Sequence, residues 1–177
     1  LKEKVLLFDL EITPNTGFFW PGRMYEQNII KKTEEWYVLT FSAKWLDGRC
    51  TTRGLPDYKE FRRDKHSDKS LVKELWGLLD KADIVCGHNS DRFDIRKLNT
   101  RFLLYRLPPP RPFKTIDTLK VARKHFDFDS NKLNDIGVYT DEGQKITHEG
   151  FPLWEKCMWG DKRSFNLMKR YNRQDVL

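Results

Sequence analysis

The stretch from Lys4 to Ile12 is almost unbroken apolar sequence, with Asp9 and Glu11 set into its end. A run of this length and composition reads as a central strand buried on both faces. Side chains two apart on a strand share a face, so Asp9 and Glu11 aim side by side. Two adjacent like charges in a core element are costly unless a cation neutralises them. No Lys or Arg lies within the strand interior. A metal ion or a salt bridge to another element could each answer the need, and the pair alone does not choose between them.

The rest of the chain can be ordered around that strand. Trp36 to Leu46 alternates as a second strand, Asp47-Gly48 is a hairpin turn, and Arg49 to Leu55 returns as a third. A charged loop fills 56–67. Leu71, Leu75, Leu78 and Leu79 recur at helical spacing, which predicts a helix over 68–82 capped by Ser67 or Asp68. Ile84 to Cys86 is a short buried strand, followed by a helix over about 92–106 that ends at Pro108-Pro109-Pro110. Phe113 to Leu119 reads as a strand running into a helix that reaches Phe126. A short helix over 131–139 capped by Ser130 and a last helix from about 161 to 177 complete the order. Antiparallel strands followed by alternating helices and strands predict an α/β domain, a mixed sheet with helices on both faces.

Bulk properties narrow the class. The 177 residues suit one domain with one sizeable core, and 38% hydrophobic with 33% charged residues excludes a disordered or membrane-spanning chain. No apolar run is long enough to cross a bilayer, and no secretory signal precedes the first strand. Cys50, Cys86 and Cys157 lack the paired spacing of a zinc site and read as reduced thiols of a cytosolic protein. The net charge of +7 gives a mild pull toward polyanions. The absent initiator Met and an end inside a helix-like stretch point to a chain trimmed from something longer.

Two further motifs carry carboxylates. In Asn89-Ser90-Asp91-Arg92-Phe93-Asp94, Ser90 or Asp91 can cap the following helix, whereas Asp94 lies inside its first turn and has no capping role to explain it. In Tyr171-Asn172-Arg173-Gln174-Asp175, Tyr171 and Asp175 are four apart and share a helical face. A solvated Asp is the ordinary explanation for each. Asp117 reads as a helix cap, with support of a neighbouring site as the minority view. His88 and His148 read as structural.

Taken in order, Phe8-Asp9-Leu10-Glu11, Asn89 through Asp94, and Tyr171 through Asp175 resemble the three motifs of the DEDD superfamily of 3′–5′ exonucleases, which have a ribonuclease-H-like fold. Arg170 stands where the histidine branch has its His, so the chain is similar to the tyrosine branch. The nearest resemblance is to compact ribonuclease-H-like exonucleases of phages and bacteria and to the proofreading domains of family B DNA polymerases. The resemblance implies two divalent ions, Mg²⁺ or Mn²⁺, held by Asp9, Glu11, Asp94 and Asp175, with Tyr171 orienting the attacking water. Oxygen-only ligands suit those ions, and a phenol with pKa of about 10 is a poor base at neutral pH. It also implies a single-stranded 3′ end of DNA or RNA as substrate and a cytoplasmic setting.

Asn89, Phe93, Thr13 and Phe18 are candidate contacts for terminal nucleotides. Phe18, Phe19 and Trp20 could stack on bases, though covering a core edge is the blander role. Arg62, Arg63, Lys65, Arg92, Arg96 and Lys97 are candidate phosphate contacts among charges that are mostly solvated. The rival readings are a ribonuclease-H-type endonuclease, which gives no reason for Tyr171, a proofreading domain of a larger polymerase, and an inactive nucleic-acid-binding module.

Overall fold

The computed structural model describes residues 2–22, 28–142 and 146–177. The strand that carries Asp9 and Glu11 is β1 (Val5–Ile12), and it sits in the middle of a five-stranded sheet. Two further strands, β2 (Thr16–Phe18) and β3 (Lys31–Glu34), form a separate antiparallel pair. The main sheet continues with β4 (Val38–Trp45) and β5 (Cys50–Gly54), then α1 (Lys69–Leu79), β6 (Ile84–Gly87), α2 (Asp94–Leu104), β7 (Lys114–Asp117) and α3 (Thr118–His125). Three helices follow: α4 (Leu133–Tyr139), α5 (Phe151–Met158) and α6 (Lys162–Gln174). The strand order is β5-β4-β1-β6-β7, antiparallel through β5, β4 and β1 and parallel through β1, β6 and β7. This is the mixed α/β sheet that the element order predicts.

The two faces of β1 differ more than its apolar sequence implies. Leu6, Phe8 and Leu10 are buried, while Val5, Leu7, Asp9 and Glu11 on the other face are half-buried. The buried face carries the larger part of the core. Arg53, opposite Phe41 in the β4–β5 register, donates to Glu74, which places α1 over this side. There Leu71, Val72, Leu75 and Leu79 pack at helical spacing. The other side lies under α6: Asn172 reaches Asp9, and Lys169 flanks Gly54. Phe165 and Met168 bring α6 into the core, with Leu153 and Cys157 of α5 behind it.

Some local expectations need correction. Asp68 is the N-cap residue of α1, but its carboxylate does not cap. It accepts instead from the Val38 amide at 2.8 Å and from Arg101 and Tyr105. A charge-assisted partner outcompetes a neutral amide for a buried carboxylate. Neither Ser90 nor Asp91 caps α2; Phe93 holds the N-cap position, and Asp91 pairs with Lys120 at 2.5 Å. Ser130 lies two residues before the N-cap Lys132 of α4 and donates to Asp135. The stretch Thr13 to Trp20, expected as loop, includes β2, and residues 151–158 form a helix that no periodicity announced. The charged segment 56–67 contains two short 3-10 turns.

Candidate active site

The pleat and the parallel pairing bring the distant motifs to one place. β1 supplies Asp9 and Glu11 from its α6-facing side, opposite Ser42 and Thr40 of β4. β6 runs parallel to β1 and ends at Gly87, where the chain turns into α2. Any Cβ on Gly87 would lie 2.8 Å from Cβ of Ser90 and 2.9 Å from the Phe8 carbonyl oxygen. Only glycine therefore lets this turn press against β1. Asn89 follows at φ 61°, a left-handed conformation that Asn tolerates. The turn delivers Asp94 beneath β1, where its Oδ1 accepts from the Leu10 amide at 3.3 Å.

Asp117 holds this turn in place. It caps α3 by accepting from Leu119 N at 3.0 Å, as expected. It also accepts from the amides of Asn89 at 2.8 Å and Asp91 at 3.3 Å, which ties the turn before α2 to the start of α3. α6 completes the arrangement. Asp161 caps it by accepting from Ser164 N at 2.7 Å, and its buried stripe of Phe165, Met168 and Asn172 turns Tyr171 and Asp175 toward β1.

The result is a cleft of about 500 Å³ lined by Asp9, Glu11, Asp94 and Asp175 together with Tyr171, Asn89 and Phe93. Ligand oxygens of Asp9, Glu11 and Asp175 lie within 4.8 Å of one another. Asp94 stands outside that trio and is 3% exposed. Two residues expected at this place are not in the cleft lining. Thr13 is 1% exposed, with its hydroxyl accepting from Tyr37 N at 3.0 Å and its own amide donating to the Tyr37 carbonyl, which ties it to the residue before β4. Phe18 is exposed on β2, away from the lining, as are Phe19 and Trp20.

The electrostatics are those of crowded carboxylates. Burial pushes the Asp9 carboxyl well above its ordinary range, and the charges of Asp94, Glu11 and Asp175 push it further. The 2.6 Å hydrogen bond from Asn172 opposes this in part. Asp94 is raised to about 7, chiefly by burial, against the pull of backbone amides. Among the described residues no Lys, Arg or His forms an ion pair with Asp9 or Asp94. The salt-bridge reading open at the sequence level therefore has no cation to rest on for these two. The hard-oxygen donors that Asp9, Glu11 and Asp175 bring together, with Asp94 in the same cleft, fit a divalent ion such as Mg²⁺ or Mn²⁺.

Sequence reasoning overlooked several neighbours. Asn172 is fully buried and donates to Asp9, while its Oδ1 has no partner. A polar residue on the stripe begun by Phe165, seven residues further on, was the available signal. Arg123 and Lys132 are the basic side chains in the cleft lining, whereas none of the six candidate phosphate contacts is. Lys65 donates to the Trp159 carbonyl, and Lys97 sits 4.2 Å over the Trp36 ring. His88 also lines the cleft, with Nδ1 3.0 Å from Thr118 Oγ1 and Nε2 3.0 Å from the Asn131 carbonyl. His148 packs edge-on to Tyr171 at 4.8 Å between centroids, beside Trp154.

The family model of the RNase H superfamily matches residues 26–177, and the chain belongs to that superfamily. Its members are generally nucleases that act with divalent metals. The match begins after β1, so the placement of Asp9 and Glu11 rests on the geometry described above. Among solved structures, the chain resembles the family B DNA polymerase of the hyperthermophilic archaeon Pyrobaculum calidifontis. The TM-score is 0.72 at 16% identity, over 99% of this chain and 23% of that one. No curated protein sequence matches. None of the described helices is long and apolar enough to cross a membrane.

Proposed function

We propose that the chain is a two-metal-ion 3′–5′ exonuclease, one catalytic domain that removes nucleoside 5′-monophosphates from the 3′ end of DNA or RNA. The observation that carries this reading is the single cleft in which all four motif carboxylates meet Tyr171. Asp9, Glu11 and Asp175, whose carboxylate oxygens cluster, would hold the ions together with Asp94, which stands apart from that trio. Bound there, divalent ions supply an activated water and neutralise the leaving 3′ oxygen.

The remaining roles belong to the chain's own groups. Tyr171 orients the attacking water by hydrogen bonding. Asn172 holds Asp9 in one rotamer through its 2.6 Å bond. Asn89 and Phe93, at the cleft wall, contact the terminal nucleotide. Arg123 and Lys132 face the phosphates, as cations do in sequence-independent binding.

Titration calorimetry with Mn²⁺ tests the site directly. Wild type takes up the ion, and Asp9→Ala does not, while its circular dichroism stays unchanged. Equal uptake by both proteins would refute the assigned site. The likeness in fold to part of a family B polymerase favours proofreading within a longer polypeptide as a second reading, which the full-length gene product would decide.

A further inference from the structure

One wall of the cleft is formed by α3, and the residues there follow a line. Leu119 and Arg123 both line the cleft. Phe126 follows at the C-cap of α3, seven residues after Leu119, so the three occupy one helical face. At 1.5 Å per residue this carries the line roughly 10 Å outward from Leu119.

Beyond the helix the backbone is extended at Phe126, with φ −133° and ψ 155°. Successive side chains of extended chain point to opposite sides. In Phe126-Asp127-Phe128 this brings the two rings, two residues apart, to one side. The rings stack at 5.2 Å with an interplanar angle of 21°. Tyr139, at the end of α4, closes on Phe128 edge-on at 5.3 Å. Phe126 is 58% exposed and Tyr139 77% exposed, so the group spends its aromatic surface on solvent rather than on the core. The last turn of α3 adds Arg123, Lys124 and His125.

We infer that Phe126, Phe128 and Tyr139 form a stacking platform for the single strand leading to the cleft, holding bases upstream of the terminal nucleotide while Arg123 takes the intervening phosphate. This rests on the proposed function for the identity of the occupant. Continuity with the cleft through Leu119 and Arg123, and the basic last turn of α3, argue for a nucleic acid strand. Aromatic faces bind any base, which suits an enzyme that must translocate along its substrate.

The test compares Phe126→Ala and Tyr139→Ala with wild type on a dinucleotide and on a long single strand, with Mn²⁺. The dinucleotide cannot reach the platform. Its turnover is expected to stay unchanged, while KM for the long strand rises about fivefold or more, the loss of one base stack. Phe126→Trp should restore the wild-type value. An unchanged KM on the long strand, or equal losses on both substrates, would overturn the platform. Loss of self-association in the variants with unchanged strand affinity would overturn it too and assign the rings to a protein interface. If wild type cuts neither substrate, the exonuclease reading fails by itself. Fluorescence anisotropy of a labelled strand then decides the platform, which requires weaker binding by Phe126→Ala.

Discussion

Asp9 is the residue on which the site turns. Its carboxylate is crowded by three others and receives one neutral hydrogen bond from the protein, from Asn172. Such a group is held in place at a cost to stability, and that cost has a pH signature. Asp94 ionises ordinarily at 3.8, and in the folded protein it is raised to about 7. Between those values the folded state binds more protons than the unfolded state, so stability falls as pH rises. The metal-free protein is therefore expected to lose stability between about pH 4 and pH 7, on the order of a few kcal/mol, and to melt lower accordingly. Added Mg²⁺ or Mn²⁺ should reverse the loss at neutral pH. A scanning calorimetry series with EDTA and with metal checks both, and a melting temperature that climbs with pH in EDTA would contradict the account. Asp94→Asn should melt higher than wild type in EDTA at pH 7 and yet be inactive. Tyr171→Phe should slow turnover less than any loss of a carboxylate; an equal loss would mean that Tyr171 does more than orient water.

At the scale of elements, the site depends on supports that never enter the cleft. Asp117→Ala removes the cap of α3 and strands the amides of Asn89 and Asp91. It should cost about 1–3 kcal/mol and lower activity, as thermal melts and single-turnover rates would record. Arg101 is the buried partner of Asp68, which is fully buried between α1 and β4. Arg101→Ala leaves that carboxylate without its cation and should cost about 3–5 kcal/mol in urea melts; a loss below the lower value would show the pair to be replaceable. The elements carrying strong periodicity or turn chemistry were legible: β1, the Asp47-Gly48 hairpin, and the Leu stripe of α1. Those whose character arises from tertiary partners were not. Asp68 has the position of a cap and is claimed by Arg101 and Tyr105 from another helix. β2 and β3 expose nearly all their side chains, so no alternation marks them, and α5 is only eight residues long.

For the molecule as a whole, spacing on strand and helix paired Asp9 with Glu11 and Tyr171 with Asp175, because a pleat and a 3.6-residue turn fix which side chains share a face. The meeting of these pairs with Asp94 was implied by the resemblance of the three motifs. What spacing could not supply was the cleft's wall. Arg123 and Lys132 reach it from α3 and the start of α4, Asn172 supports Asp9 from behind it, and Thr13 is buried outside it. The charge of +7 is compatible with a polyanionic substrate, and the proposed choice of the 3′ end rests on the resemblance of the three motifs. One measurement addresses that choice directly: digestion of a 5′-labelled single strand with Mg²⁺ or Mn²⁺, followed over time. The account predicts a ladder that shortens one nucleotide at a time from the 3′ end, with nucleoside 5′-monophosphates released and all cleavage stopped by EDTA. Internal fragments appearing before the full-length strand is trimmed would contradict it and make the enzyme an endonuclease.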